Sequence, residues 1–420
     1  MNIYPLCDEQ KYIFDVNEGI QGIPMNVSFV MEFKQYFSVD ELRCAIETCI
    51  LSADISGARC VVKDGRPYME FLPPETPDIQ AHHFANTEAF ELFRDSITES
   101  KVNNRDKLYH IAIYAIAGSV NHIHFCFNHM VFDGISGILL CYKIQNVLLD
   151  QQKKITWHPF SVYLEKINRY NKSEKYLADQ IFWEERFAEI AKCDYLFKDV
   201  LDVEIAPIKE LVFQSSESFK KGLLAFCDEH KLSPHLLIVT VLAELIYIKT
   251  GCERFYFEIP IGNRLGAKEK DSLGVYEIGP PFIFDFNKYH GLAELLQSVQ
   301  KQSRDYYKHK DFDWNNKIFS APYVEKYGEY NPQFLFSYFS YSKDYAVPFV
   351  SWRHLQTKSS FLPITLYISD FADCATFSFS YVFWDHYFSS EEIIDIHQMI
   401  ESRISNFIEK GLAQTMLDKQ

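Results

Sequence analysis

A histidine followed four residues later by an aspartate carries the strongest chemical signal in this sequence. The stretch FNHMVFDGISG places His129 at the end of one apolar run, and Asp133 and Gly134 at the start of another. An imidazole with an ordinary pKa of about 6.5 can take a proton from an attacking amine or alcohol near neutral pH. Glycine lets the backbone approach a ligand with its N–H free for a developing oxyanion. Aspartate before glycine is also a common turn pair, so the residues alone leave a catalytic site and a plain strand-to-helix corner both open.

Other chemically capable residues give weaker signals. His122 and His124 alternate onto one face of a strand, but no carboxylate or third histidine follows at a useful metal-ligand spacing, so we predict structural roles for both. The ten cysteines are scattered without a C-x-x-C pair, and several lie in apolar runs. That pattern does not favour a zinc or redox site, and it suits a reduced cytoplasm. We therefore expect no metal and no bound cofactor.

The hydrophobic pattern predicts the elements that hold the corner. NHIHFCFN predicts a strand that ends at His129, and ISGILLCYKIQNVLL predicts an apolar helix that follows Gly134. The later run CATFSFSYVFWDHYFSSEEIIDIHQMIESRI has the same strand, corner and helix order without the His-x-x-x-Asp-Gly residues. The remaining clear signals are a helix N-cap at Ser38, a hairpin turn at Asp64-Gly65, an N-cap at Ser233 before Pro234, and a capping box at Ser389-x-x-Glu392.

Length and charge limit the class of protein. A chain of 420 residues exceeds one ordinary domain, and the polar segment YNKSEKYLADQ places a boundary near residues 165–180. With 42 Lys and Arg against 57 Asp and Glu, the net charge of −15 argues against nucleic-acid or anionic-membrane binding. The first residues lack a signal-peptide pattern, and the most apolar helix, HLLIVTVLAELIYIK, carries Glu244 and is shorter than a bilayer span. We expect a cytoplasmic protein that contacts neither nucleic acid nor membrane.

An ordered set of short motifs resembles the condensation domains of nonribosomal peptide synthetases, within the chloramphenicol-acetyltransferase-like superfamily. The family signature H-H-x-x-x-D-G reads NHMVFDG here, so His129 falls on the active histidine and Asn128 on the first histidine. YPLCDEQKYIF is similar to the opening motif. HPFSVYL, EIPIGNR, HKDFDW and NPQFLFSYF then resemble the later motifs, in family order across nearly the whole chain.

The resemblance implies a fold and a division of roles. It implies an α/β protein of two acetyltransferase-like subdomains, residues 1–170 and 175–420, that form a V-shaped pseudodimer with a tunnel between them. His129 would be the catalytic residue at mid-tunnel. Asp133 would pair with Arg264 as structural support, with Asn128 holding the corner by amide hydrogen bonds. Gly134 is our candidate oxyanion donor.

The chain departs from the family pattern in one wall of the tunnel, and its motifs can be compared with those of two related activities. The run LGVYEIGPPFIF replaces the usual I-G-x-F-V-N-T-x-P, which puts that wall of the substrate tunnel in question. Epimerisation domains carry E-G-H-G-R, and aligning its arginine with Arg264 puts Pro260 at the glutamate, although Glu258 lies nearby. Heterocyclisation domains carry D-x-x-x-x-D-x-x-S, which this chain matches at Asp133 and Ser136 while keeping a histidine that they lack.

Three functions from different classes remain after this comparison. The first is a condensation enzyme that forms an amide, or secondarily an ester, from an acyl thioester on phosphopantetheine, with an acyl or peptidyl carrier protein as partner. The second is an acyltransferase that takes a CoA thioester to a small amine or alcohol acceptor. The third is a degenerate domain that recruits a partner, which retention of His129, Asp133 and Gly134 disfavours. The chain could be free-standing or part of a larger synthetase.

Overall fold

The described residues form both strands and helices in each half of the chain. The computed structural model describes residues 2–19, 25–97, 102, 107–200, 205–289, 291–341, 350–355 and 358–411. The strands are β1 Ile3–Pro5, β2 Asn26–Phe33, β3 Ala58–Lys63, β4 Arg66–Phe71, β5 Ile79–Phe84, β6 Tyr109–Ile116, β7 His122–Asn128, β8 Ala206–Gln214, β9 Arg254–Glu258, β10 Ile261–Gly262, β11 Glu277–Ile278, β12 Pro281–Asp285, β13 Phe334–Tyr341, β14 Val350–His354, β15 Ser359–Ser360, β16 Ile364–Phe371 and β17 Ser378–Trp384. The helices are α1 Asp8–Gly19, α2 Val39–Leu51, α3 Thr87–Ile97, α4 Gly134–Leu149, α5 Phe160–Tyr170, α6 Glu174–Ile190, α7 Glu217–His230, α8 Pro234–Thr250, α9 Leu292–Lys308, α10 Trp314–Ile318, α11 Ala321–Tyr327 and α12 Ser390–Lys410.

Local sequence signals account for several element ends. Ser38 and Ser389 both close capping boxes, at the starts of α2 and α12. The β3–β4 hairpin turns where Asp64 and Gly65 both take positive φ, which is the geometry that favours an Asp-Gly pair. Ser233 precedes α8 as predicted, but its hydroxyl bonds the Nδ1 atom of His235 at 2.7 Å and makes no capping bond, so that part of the prediction is wrong.

The first half of the chain builds a five-stranded sheet in the order β14-β2-β7-β6-β5. β2 and β7 are antiparallel and place Asn26 opposite Asn128, at the end of β7 where the corner begins. α2 packs against α4, and both contribute to the apolar core of this half. The corner is therefore set on the end of a central strand with a rigid core behind it.

One strand of this sheet comes from the far end of the chain. β14 lies antiparallel to β2 and pairs His354 with Phe29. Leu355 then packs into a small cluster with Val30 and Tyr114. The predicted division near residues 165–180 does not anticipate this strand, which ties the second half of the chain to the first.

The second half builds a seven-stranded sheet in the order β12-β9-β13-β16-β17-β8-β15. The apolar helix α8 packs against α9 and α12 and is a core helix, as its sequence predicts. Its buried Glu244 accepts hydrogen bonds from Arg403 of α12, with Nε at 2.8 Å, which satisfies the carboxylate inside the core. Among the described helices no single one is long and apolar enough to cross a membrane, and α7 with α8 passes that test only as a pair bent by 106°.

A second segment also crosses between the two cores. Leu273, Val275 and Tyr276 belong to the core of the first half, although β9 and β12 on either side belong to the second. Gly274 allows this crossing, because a Cβ atom there would lie 2.2 Å from the Cδ2 atom of Phe160. The protein is thus a mixed α/β fold in which the second half of the chain contributes two segments to the first.

Candidate active site

The His129 corner is held by hydrogen bonds on both sides. A short 3-10 turn, His129–Val131, separates β7 from α4. The Asn128 side chain accepts from the N–H of Met130 at 3.0 Å and donates to the carbonyl of Val102 at 3.4 Å. The N–H of His129 itself donates to the carbonyl of Met25 at 2.9 Å. The backbone that carries the imidazole is therefore fixed without any contact from the ring.

Asp133 joins the corner to the second half of the chain. Its Oδ1 atom accepts from Nη2 of Arg264 at 2.8 Å and, as the N-cap of α4, from the N–H of Ser136 at 2.7 Å. Its Oδ2 atom accepts from the N–H of Tyr276 at 3.0 Å. The side chains of Asp133 and Arg264 are only 2% and 7% exposed. Both carboxylate oxygens of the aspartate are therefore engaged in hydrogen bonds.

Packing, more than backbone freedom, explains why residue 134 is a glycine. It begins α4 with ordinary helical backbone. A Cβ atom at this position would lie 2.5 Å from the Cε1 atom of Phe339, on β13 of the second half. As the first helical residue, Gly134 has an N–H without an intrahelical acceptor, which is the property required of an oxyanion donor.

The imidazole of His129 contacts a carboxylate that the sequence analysis did not single out. Its Nε2 atom lies 3.1 Å from Oε1 of Glu277, and the two side chains are 20% and 29% exposed. The Nδ1 atom is buried and has no hydrogen-bond partner. Burial lowers the pKa of His129, but the hydrogen bond and the charge of Glu277 outweigh it, so that the pKa is raised above its ordinary value.

Glu277 is positioned beside the histidine by the same residues that contact Asp133. β11 pairs with β10, which places Glu277 opposite Gly262, just before Arg264. Tyr276, the preceding residue, is held by Asp133 through its N–H, and the Arg264 guanidinium lies 4.2 Å from its ring centroid. The relative position of His129 and Glu277 therefore depends on the buried ion pair behind them.

Further ionisable groups surround the pair. Burial raises the pKa of Glu9 well above its usual range, and the charges of Asp8, Glu277 and Glu258 add to the shift. Burial likewise raises the pKa of Glu258 to about 7. Burial lowers the pKa of His354 to about 4, with a further contribution from His129. The site is thus a partly desolvated, carboxylate-rich environment to which β14 brings a second, neutral imidazole.

The earlier metal candidates have structural partners. His124 is buried, with Nε2 2.9 Å from the hydroxyl of Ser28 and Nδ1 3.3 Å from that of Tyr114. The ring of His122 stacks on Phe90. Across the described residues, no group of three or more His, Cys, Asp and Glu side chains is arranged to hold a metal ion.

A surface cavity beside Tyr276 does not contain the histidine. It has a volume of about 410 Å³ and reaches Tyr276 but not His129. Its charged and polar lining includes His158, Tyr163, Lys166, Arg169 and Glu269. Because this cavity is lined by neither His129 nor Glu277, we take the His129 corner and not this cavity as the candidate site.

The sequence predicted one side of the site and missed the other. Asn128, His129, Asp133, Gly134 and Arg264 do come together. Glu277 and His354 were missed. The departure of LGVYEIGPPFIF from the family pattern is the signal that would have drawn attention to Glu277. Nothing in the local sequence of β14 indicates that it joins the distant first sheet, so His354 had no such signal.

Comparisons with known proteins agree on one family. A family model described as the condensation domain matches residues 1–415. Surfactin synthase subunit 1 of Bacillus subtilis (strain 168) is 21% identical over 213 residues, which is 50% of this chain and 6% of that protein. The chain therefore spans only a small part of the length of this curated relative.

Solved structures show the same fold. The condensation domain of the monacolin K polyketide synthase matches with a TM-score of 0.81 at 13% identity, over 99% of each chain. A variant of the starter condensation domain of rhizomide synthetase, in complex with C8-CoA, matches with a TM-score of 0.79 at 12% identity, over 100% of this chain and 98% of that one.

Proposed function

The chain belongs to the condensation-domain family, and from that premise we propose that it joins an acyl group to an amine, or secondarily to a hydroxyl. The acyl group would arrive as a thioester on the phosphopantetheine arm of an acyl or peptidyl carrier protein. The product would be an amide, or an ester, in nonribosomal peptide or related natural-product biosynthesis.

The observation that carries this proposal is that His129 has a fixed backbone and a partly exposed side chain. The residue is anchored through its backbone, yet its side chain is 20% exposed, beside residues that come from the other half of the chain. Arg264, Glu277 and Phe339 all reach the corner from that half. We place the substrate tunnel along this junction of a V-shaped pseudodimer, with subdomains of residues 1–170 and 175–420.

The reaction needs no metal and no covalent enzyme intermediate, because a thioester is already activated. The acceptor nitrogen attacks the thioester carbonyl carbon, a C–N bond forms, and the C–S bond breaks. One proton passes from the nitrogen to His129, which gives it to the departing thiolate of phosphopantetheine. Positioning of the two substrates supplies much of the rate, and a placed imidazole adds proton transfer.

The other site residues have supporting parts in this scheme. The N–H of Gly134 is our proposed donor to the oxyanion that forms on the thioester carbonyl. Asp133 and Arg264 hold the junction, and Asn128 holds the turn. None of these three is proposed to touch the substrate.

A CoA-dependent acyltransferase is the alternative with a specific observation behind it. CoA and a carrier protein present the same pantetheine arm, and the similar rhizomide starter domain was solved with C8-CoA. Epimerisation is disfavoured by geometry, since a two-base mechanism needs bases on opposite faces of a carbon, whereas His129 and Glu277 contact each other directly.

One assay separates these functions. The same acyl group is supplied on a carrier protein and on CoA, with a panel of amines and alcohols, to the wild type and to His129→Ala. His230→Ala, an exposed histidine at the end of α7, is the matched control. Carrier-dependent product that is lost only in His129→Ala is expected. Efficient CoA turnover favours the acyltransferase, and equal product from wild type and His129→Ala would exclude both enzymes and leave a partner-recruiting domain.

A further inference from the structure

We propose that Glu277 selects an amine over a hydroxyl acceptor, by binding the protonated amino group and holding it against Nε2 of His129. This inference rests on the proposed function and narrows it to amide formation. It starts from the contact between Oε1 of Glu277 and Nε2 of His129, which lie 3.1 Å apart. Both side chains are partly exposed to solvent.

The position of the carboxylate suits an acceptor contact. Nδ1 of His129 is buried and Nε2 is the nitrogen that faces Glu277, so a nucleophile that uses this imidazole must approach Nε2. A group bound there also lies within reach of the Glu277 carboxylate. An alkylammonium can donate to both atoms at once, because it carries three N–H donors.

The charge around the pair favours a cation. A free alkylamine has a pKa similar to that of lysine, about 10.4, and reaches the site protonated. The guanidinium of Arg264, which lies at the corner, is already paired with Asp133. Within the described part of the chain, the ionisable groups that influence the pair from the surrounding elements are acidic or neutral. They are Glu9 of α1, Asp133 at the start of α4, His354 of β14 and Tyr367 of β16.

The carboxylate also supplies a route for the proton. An ammonium must lose one proton before its nitrogen can attack the thioester. Glu277 remains within reach of Nε2, so its charge stabilises the imidazolium that forms when His129 accepts one ammonium proton. The neutral nitrogen then attacks the thioester carbonyl carbon, the C–S bond breaks, and the second N–H proton goes to the departing thiolate. His129 returns its proton to solvent after the product leaves. A hydroxyl acceptor carries no charge and gains much less from Glu277.

Hydrogen bonds fix the backbone of the segment that precedes Glu277. Tyr276 is clamped by Asp133, and Gly274 donates its N–H to the hydroxyl of Ser136 at 3.1 Å while accepting from it at 2.9 Å. The segment before the carboxylate is thereby fixed to the start of α4. A surface carboxylate with no function would not require such support.

The test compares acceptor selectivity in Glu277→Gln and Glu277→Asp with the wild type. An amine and the alcohol of the same carbon skeleton are supplied with one acyl donor. Glu325→Gln, an exposed carboxylate on α11, controls for the loss of a charge. We expect kcat/KM for the amine to fall about 10- to 100-fold in Glu277→Gln, as for loss of a charged hydrogen bond, with less than about 3-fold change for the alcohol and partial retention in Glu277→Asp. Equal losses for both acceptors would overturn the proposal.

A binding measurement keeps this test independent of turnover. The ring protons of His129 are followed by NMR, with His129→Ala for assignment, while amine or alcohol is added without an acyl donor. Amine binding that shifts the His129 signals in the wild type and Glu325→Gln but not in Glu277→Gln supports the proposal. Wild-type signals that do not respond to any amine refute it. Absence of product from both donor types, with amine binding intact, would refute the condensation function alone.

Discussion

The Asp133 carboxylate and the Arg264 guanidinium meet at 2.8 Å in a buried contact between the two halves of the chain. Each makes further hydrogen bonds, to the start of α4 on one side and to the 269–274 loop on the other. Asp133 also accepts a hydrogen bond from the N–H of Tyr276, the residue before Glu277, and so links the pair to the carboxylate that contacts His129.

Removal of either partner should therefore reduce folded protein as well as activity. Asp133→Ala or Arg264→Ala leaves a buried charge unpaired, at a cost of about 3–5 kcal/mol. Thermal or urea denaturation measures the loss. Lys249→Ala, which breaks an ion pair whose partners are 41% and 42% exposed, should cost no more than about 1 kcal/mol. A thermally unchanged Asp133→Ala protein with only a slower chemical step would contradict this prediction.

Gly134→Ala should destabilise the protein because of Phe339. The added methyl overlaps the Phe339 ring, and overpacking of this kind costs about 1–3 kcal/mol. Phe339→Ala should restore part of the stability in the double variant. The matched control is Gly137→Ala, whose Cβ would meet Phe29 and Phe132 at an ordinary 3.6–3.7 Å, and which should be neutral or stabilising. Unchanged stability in Gly134→Ala would contradict this packing explanation, since alanine keeps the backbone N–H and differs only by the added methyl.

Asn128→His should retain the fold and most of the activity. A histidine Nδ1 atom can accept from the N–H of Met130 as the amide does, and the family signature has histidine there. Asn128→Ala loses this bond and should cost about 0.5–2 kcal/mol of stability. Melting temperature and turnover of the two variants test the prediction. A folded Asn128→His protein without turnover would show that this corner differs in function from the family site.

The activity of the wild type should rise with pH through a pKa above the ordinary histidine value. His129 acts as a base only when neutral, and the neighbouring Glu277 raises its pKa. The same pairing stabilises the folded protein fully below the unfolded pKa of about 6.5, and this contribution is lost as pH rises through the raised pKa. A pH profile of kcat/KM with an alcohol acceptor avoids titration of the acceptor itself. An acidic limb below about pH 6 would contradict the assignment.

Glu258→Gln should stabilise the protein at alkaline pH. Burial raises the pKa of Glu258 to about 7, so its contribution to stability is present below the unfolded pKa and is lost as pH rises through 7. Glutamine keeps an acceptor for the Tyr330 hydroxyl, which lies 2.8 Å from the carboxylate, but does not ionise. We expect a gain of about 1–2 kcal/mol near pH 8 that shrinks toward pH 4. Denaturation at both pH values measures it, with Glu325→Gln as control. An equal gain at both values would exclude titration as the cause.

The sequence predicts those parts of this protein that local patterns determine. Helix ends such as Ser38 and Ser389, and the strand and helix that flank His129, follow from capping residues and hydrophobic period. The Asp133–Arg264 contact followed from motif resemblance, since no local rule links residues so far apart. The contact of Glu277 with His129 depends on the tertiary arrangement of β11 against the corner, which periodicity does not report.

The position of β14 has a consequence for synthesis on the ribosome. β2 gains its neighbour at one edge only when residues 350–354 emerge, long after the rest of the first sheet has been made. Until then β2 exposes unpaired backbone N–H and C=O groups, which are a template for wrong strand pairing. N-terminal segments usually fold first as a chain is translated, but here the first sheet must wait for most of the chain. A nascent chain interrupted before β14 would therefore be prone to aggregation even though the residues of its corner are all present.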